Sequence, residues 1–468
     1  MPDAEPLHDL VVHGAGLLVT CDAAGRELSG GWVAIDDGVV RAVGSGAPPA
    51  AERSIDAGGA VVTPGLINTH HHLYQNLTRA FAPALDGELF HWLRTLYPQW
   101  ARLDEEGAYV SAWIGCAELA LGGCTTTADH LYLHPRGGGD LLAAEIRAAA
   151  EVGLRFHPTR GSMSLSVKDG GLPPDSVVET EDEILAACEA AVARFHDPSP
   201  QSMLRIALAP CSPFSVTPEL MVATAELAER LDVRLHTHLA EDLDEDDYCL
   251  ATFGRRPVEL FADVGWGTDR AWVAHCIQPN DAEIRRLGAW GTGVAHCPSS
   301  NMILGAGMAP VAELEAAGSP VGLGCDGSAS ADSASLWTEA RNAMLVGRLR
   351  HGLDRRPPDE RPARFGARDA LRLATTGGAA VLGRTGEIGA LSPGLAADLV
   401  VWENDSILHA GALSDPVEGW LRCGPGRART TIVAGRVVVD DGRLAHPAID
   451  ERLADHHRVA DAMQAAAP

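Results

Sequence analysis

The stretch Thr69-His70-His71-His72 closes an apolar run with three consecutive imidazoles. Along a strand, residues two apart face the same side, so His70 and His72 can bind one ion while His71 points away. Three further apolar runs end in reactive side chains: His236-Thr237-His238-Leu239-Ala240-Glu241, Ala274-His275-Cys276 and Cys325-Asp326-Gly327. Neutral imidazole is a common ligand for zinc and for iron. His238 would add a third nitrogen and Asp326 an oxygen, with a position left open for water, as a catalytic site requires. Taken singly, each residue has a plainer meaning. A lone histidine at a strand end is commonly a hydrogen-bonded structural residue, which suits His130, His157 and His296, and Asp326-Gly327 alone would be an ordinary turn. The joint pattern is what points to a metal.

Such a pattern needs elements that bring four strand ends together. Eight apolar, β-rich runs recur along the middle of the chain: Leu66–His70, Thr125–His130, Leu154–Thr159, Leu204–Ala209, Val233–Leu239, Ala271–Cys276, Gly293–Cys297 and Val321–Asp326. Helical patterns lie between them, including Gly107–Leu121, Leu141–Glu151, Glu181–Arg194, Pro218–Arg230 and Ala309–Ala317. Eight strands alternating with helices predict an α/β fold of (β/α)8 TIM-barrel type, whose catalytic groups stand at the C-terminal strand ends. An open doubly wound sheet is less well supported, because no GxGxxG or P-loop follows the early strands. Short β runs also flank Asp36-Asp37-Gly38 near the start, a hairpin signal, and others recur from Ala397 onward. These predict a small β-sandwich made from both ends, residues 1–63 and 385–450, around a barrel of residues 64–384, with 451–468 as a tail.

A chain of 468 residues accommodates one large barrel and a companion domain. Its formal net charge of −26 makes nucleic acid and anionic membranes poor partners. The ten cysteines form no CxxC pair, which suits buried free thiols in a reducing compartment. Met1-Pro2-Asp3-Ala4-Glu5 has neither the basic region nor the apolar core of a signal peptide, and no stretch approaches the ~20 apolar residues of a membrane helix. The expected location is cytoplasmic.

The histidine stretches, together with Pro64-Gly65-Leu66-Ile67-Asn68, His296-Cys297-Pro298-Ser299-Ser300-Asn301 and Gly394-Leu395-Ala396-Ala397-Asp398-Leu399-Val400, resemble the amidohydrolase superfamily over nearly the whole chain. Within it the sequence is similar to the branch of aromatic-base deaminases and triazine hydrolases. The resemblance implies a barrel flanked by a β-sandwich from both termini. It implies one divalent ion, zinc or alternatively ferrous iron, held by His70, His72, His238 and Asp326. It also implies Glu241 as proton donor to the ring, Asp326 as general base and His275 as a partner of the developing charge. Two-metal relatives often carry a carboxylated lysine at the end of strand four, whereas the only lysine here is Lys168, after strand three. Stretches such as His70-His71-His72-Leu73-Tyr74-Gln75 and Cys124-Thr125-Thr126-Thr127-Ala128-Asp129-His130-Leu131-Tyr132 imply deamination of a 2-aminopyrimidinone-type ring, with 8-oxoguanine the expected member and isocytosine or guanine as alternatives. Gln75, Tyr132 and Arg160 are the candidates for ring recognition, while Trp92 and Trp113 read as core. The partner expected is a small heterocycle, and the chain is expected to assemble as a homo-oligomer. Two other readings remain open: a triazine hydrolase displacing chloride or amine, and a non-catalytic scaffold, which typically loses metal ligands.

Overall fold

The structure, a computed structural model, describes residues 7–465; Met1–Glu5 and the last three residues of the expected tail lie outside the described residues. The chain opens with five strands: β1 (His8–Val19), β2 (Glu27–Asp36), β3 (Val39–Ser45), β4 (Ala51–Asp56) and β5 (Val61–Pro64). Asp36 pairs with Val39, leaving Asp37-Gly38 as a two-residue loop. Both loop residues have positive φ, 52° and 75°, the backbone that lets a tight turn follow the twist of its strands. Four late strands, β14 (Leu399–Trp402), β15 (Ala428–Val433), β16 (Arg436–Asp440) and β17 (Arg443–Leu444), join the early ones. The sheet runs β17-β16-β15-β14-β5-β1-β2-β3, with β4 also on β1. Leu10, Val12, Val33, Ile35, Leu399 and Ile432 share its core.

Between these ends lies the barrel: β6 (Leu66–Asn68), β7 (Cys124–Leu131), β8 (Arg155–Ser162), β9 (Ala207–Pro210), β10 (Leu235–Leu239), β11 (Ala271–His275), β12 (Gly293–His296) and β13 (Val321–Leu323). All eight are parallel and the sheet closes on itself, β13 pairing with β6. Ala128, Ala207 and Ala295 are small enough to admit the Trp272 indole, and these residues pack as one inner core. Helices surround the barrel where their caps predict. Asp104 accepts from Gly107 N at 2.8 Å ahead of the helix Glu105–Leu121, and Thr180 with Glu183 forms a capping box ahead of Glu181–Phe195. The segment expected as a tail carries a helix, Ile449–Ala465, in which Met463 is buried and Gln464 Nε2 donates to Leu77 O at 2.7 Å. Among the described residues, no helix is long and apolar enough to cross a membrane.

A buried ion pair ties barrel to sheet. Arg155 of β8 donates to both carboxylate oxygens of Asp398 at 3.1–3.2 Å, and Asp398 Oδ1 also accepts from Ala434 N at 2.7 Å. Truncating one partner of such a pair strands a buried charge and costs about 3–5 kcal/mol. Asp398→Ala is therefore expected to lower unfolding free energy by that order, as read from denaturant titration; an unchanged midpoint refutes it.

Candidate active site

Four strand ends deliver the histidines and Asp326 to one point. Carbonyl oxygens can only accept, so the surrounding hydrogen bonds fix which ring nitrogen of each histidine carries its proton. His72 Nδ1–H donates to His130 O at 2.8 Å, and His238 Nδ1–H donates to Cys211 O at 2.7 Å. His236 Nδ1–H donates to Trp272 O at 2.9 Å, which leaves its Nε2 as acceptor for His70 Nδ1–H at 2.8 Å. The Nε2 atoms of His70, His72 and His238 are then all bare lone pairs. His72 Nε2 and His238 Nε2 lie 3.1 Å apart with no proton between them. His70 Nε2 is buried without a partner, and Asp326 Oδ1 stands 3.4 Å from both His70 Nε2 and His72 Nε2. Lone pairs and a carboxylate crowded in this way repel unless a cation sits among them. The donor set, three imidazoles and one carboxylate, fits a divalent metal.

Burial lowers the pKa of His72, lowers that of His70 well below the usual imidazole value, and takes His238 down to about 3, aided by its histidine neighbours. All three are kept neutral, as ligation requires. His71 is not part of the cluster. His130 groups with His70, His72 and His238: its Nε2–H donates to Ala209 O at 3.1 Å, and its Nδ1 is buried without a partner.

Glu241 and His275 face the same point. The Glu241 carboxyl is buried, and burial first, then the charges of Asp242 and Asp326, push its pKa well above the usual value. Its position is set from below: Glu245 accepts from Ala240 N at 2.9 Å and from Glu241 N at 2.8 Å. His275 Nδ1 is bonded to Asn301 Oδ1 at 2.9 Å, while Nε2 stands 3.6 Å from Glu241 Oε1 and 3.8 Å from Asp326 Oδ2. These separations leave room for an oxygen between the three groups. Ala240, His275, Cys276 and Asp326 all have positive φ, a concentration of left-handed backbone at the strand ends that aim the side chains.

A cavity opens onto this cluster, and His72, His238, Glu241, His275, Asp326 and Ser330 are among its lining residues. Gln75 and Tyr132 line it too, as their sequence positions suggested. Gly327 lies against Gln75 so closely that a Cβ there would meet the amide oxygen at 2.0 Å. Arg160 is placed elsewhere and is not available to a ring in this cavity. It shares a face of β8 with Phe156, which packs toward the helices, and its guanidinium is bonded to Glu179 at 2.7 and 3.0 Å. Trp113 is core, but Trp92 is both core and cavity wall. The rest of the roof, Leu89, Leu93 and Tyr97, comes from the helix Leu89–Trp100, which the sequence patterns did not single out. Also missed were the supporting roles of His236 and Asn301. The spacing of His236 from His238 carried a signal, since residues two apart share a strand face.

The model of the amidohydrolase family matches residues 61–438. The chain is 48% identical to 8-oxoguanine deaminase of Pseudomonas aeruginosa, over 94% of this chain and 96% of that protein. It is 39% identical to hydroxydechloroatrazine ethylaminohydrolase of Pseudomonas sp. strain ADP, over 93% and 91%. Among solved structures, atrazine chlorohydrolase from Arthrobacter aurescens TC1 complexed with zinc superposes with a TM-score of 0.89 at 33% identity, over 96% of this chain and all of that one. With a closed eight-stranded barrel, a sheet from both chain ends and a matched family model over most of its length, this chain belongs to the amidohydrolase family and is a hydrolase acting on C–N bonds.

Proposed function

We propose that the enzyme hydrolytically deaminates 8-oxoguanine or a closely related 2-aminopyrimidinone ring, using a single divalent ion, zinc in the first instance. The observation that carries this reading is the grouping of Glu241, His275 and Asp326 around one point of the cavity, beside three bare imidazole nitrogens. His70, His72, His238 and Asp326 would hold the ion. When bound, such an ion supplies the Lewis acidity that brings the ionisation of water near neutral pH. The similarity to 8-oxoguanine deaminase over 94% of the chain supports the choice of ring, and the zinc in the atrazine chlorohydrolase structure supports the choice of metal.

The chain's own residues then divide the proton transfers. Asp326 accepts a proton from the attacking water. Glu241, kept protonated by burial, donates to the ring nitrogen beside the amino carbon, which makes that carbon electrophilic. His275, whose Nδ1–H donates to Asn301 Oδ1, faces the reacting oxygen with Nε2, and when the ring carries both protons that Nε2–H donates to the oxygen as charge develops on it. Asp326 passes the proton it took from water to the amino group, the C–N bond breaks and ammonia leaves; the remaining O–H proton returns to Glu241, which restores the acid, and the water oxygen becomes the ring carbonyl. Gln75 offers its amide to the carbonyl side of the ring.

The test is kcat/KM on one metal-loaded preparation for 8-oxoguanine, guanine and isocytosine, followed by ammonia release. 8-oxoguanine is expected to lead. Failure on all three, with rapid turnover of a chlorotriazine or alkylaminotriazine, refutes the deaminase reading in favour of triazine hydrolysis.

A further inference from the structure

The cavity has a polar group that the reaction above does not use. Three of the five tyrosines in the chain gather beside it. Tyr97 and Tyr132 both line the cavity, and Tyr74 packs edge-on to Tyr132 with ring centroids 5.9 Å apart. Contacts lead outward from the metal ligands: Tyr132 lies edge-on to His72 at 5.1 Å, while Tyr97 stands on the roof helix against Trp100 at 5.9 Å. The hydroxyls of Tyr74 and Tyr97 are buried, have Tyr132 as a close polar neighbour, and make no well-formed hydrogen bond. Around them the wall is apolar, formed by Leu89, Leu93, Phe214 and Leu304.

A buried hydroxyl without a partner is costly, and such groups in a binding cavity call for a ligand atom. We propose that the Tyr97 hydroxyl, with Tyr132 beside it in the cavity wall, reads the second ring of a fused two-ring substrate, at an adjacent carbonyl and N–H. This rests on the deamination reading above and names the group that selects among its substrates. A phenol both donates and accepts, so neighbouring hydroxyls match a C=O beside an N–H. In 8-oxoguanine those are the C8 carbonyl and the N7 hydrogen. Guanine presents a bare nitrogen and a C–H there, and isocytosine has no second ring.

The test uses the metal-loaded full chain. In Tyr97→Phe, kcat/KM for 8-oxoguanine is expected to fall roughly 10- to 100-fold while that for isocytosine changes little. Equal changes on the two bases, or none on either, overturn the proposal. If Y97F does not fold, the same comparison is made on Tyr132→Phe, and an undiminished preference for the two-ring base overturns it there. A wild-type enzyme that turns over neither base defeats the deamination reading, an outcome distinct from wild-type activity that Y97F leaves untouched.

Discussion

Glu241→Gln is expected to retain its metal and to lose between about 10²- and 10⁴-fold in kcat, the range that a positioned general acid contributes. Glutamine keeps the shape of the side chain and cannot give up a proton as an acid. Glu245 bonds the backbone nitrogens of Ala240 and Glu241, not the Glu241 side chain, so the substitution leaves that support in place. The His70, His72, His238 and Asp326 donor atoms do not include Glu241, so metal content is expected to stay at the wild-type level. Steady-state turnover and elemental analysis on the same sample check both halves. Near-normal turnover of the best substrate excludes the acid role. Loss of metal together with turnover would mean that Glu241 belongs to the ligand set.

His238→Ala is expected to have the other large effect: bound metal falls from about one equivalent per chain to a small fraction, and deamination is abolished. Substitutions in the groups that merely orient a ligand typically cost 10–100-fold in metal affinity, and loss of a ligand costs more. His238 comes from β10, across the barrel from His70 and His72, which follow the end of β6, so no neighbouring strand residue replaces it. Alanine also removes the imidazole that confronts His72 Nε2 at 3.1 Å, relieving the repulsion that a cation would otherwise relieve. The variant should therefore fold without metal. Elemental analysis and the melting temperature with and without added zinc read this out. A full equivalent in His238→Ala, or two equivalents in the wild type that are each needed for activity, contradicts the single-ion centre.

Much of the framework was legible in the residues because it depends on short-range rules. The eight barrel strands coincide with eight apolar runs, and Asp37-Gly38 forms the hairpin that its dipeptide announces. The alternation expected of the first barrel strand set His70 and His72 apart from His71, and the two do meet in the donor cluster, although β6 itself ends at Asn68. The same alternation, applied to β8, would have set Arg160 on the face of Phe156, away from the barrel interior. Position near a strand end was an insufficient criterion without that parity. The roof was illegible for a different reason. Trp92 and Leu93 face an apolar cavity, and in sequence a residue that walls such a cavity has the composition of a residue that fills a core. The orienting role of Asn301 was hidden as well, because its partner His275 is 26 positions away and the contact exists only once β11 and the segment after β12 lie side by side.

The contact between Gly327 and Gln75 has a consequence for how this site can change. Gly327 has an ordinary negative φ of −76°, so the local backbone would accept any residue; the obstacle is the Gln75 amide alone. A side chain at 327 can appear without a clash only after position 75 has shortened or swung aside. Position 75, by contrast, can become smaller first at no steric cost. The two sites thus form an ordered pair: shortening position 75 first opens 327 to larger residues, whereas a side chain introduced at 327 alone must displace the Gln75 amide from the cavity wall.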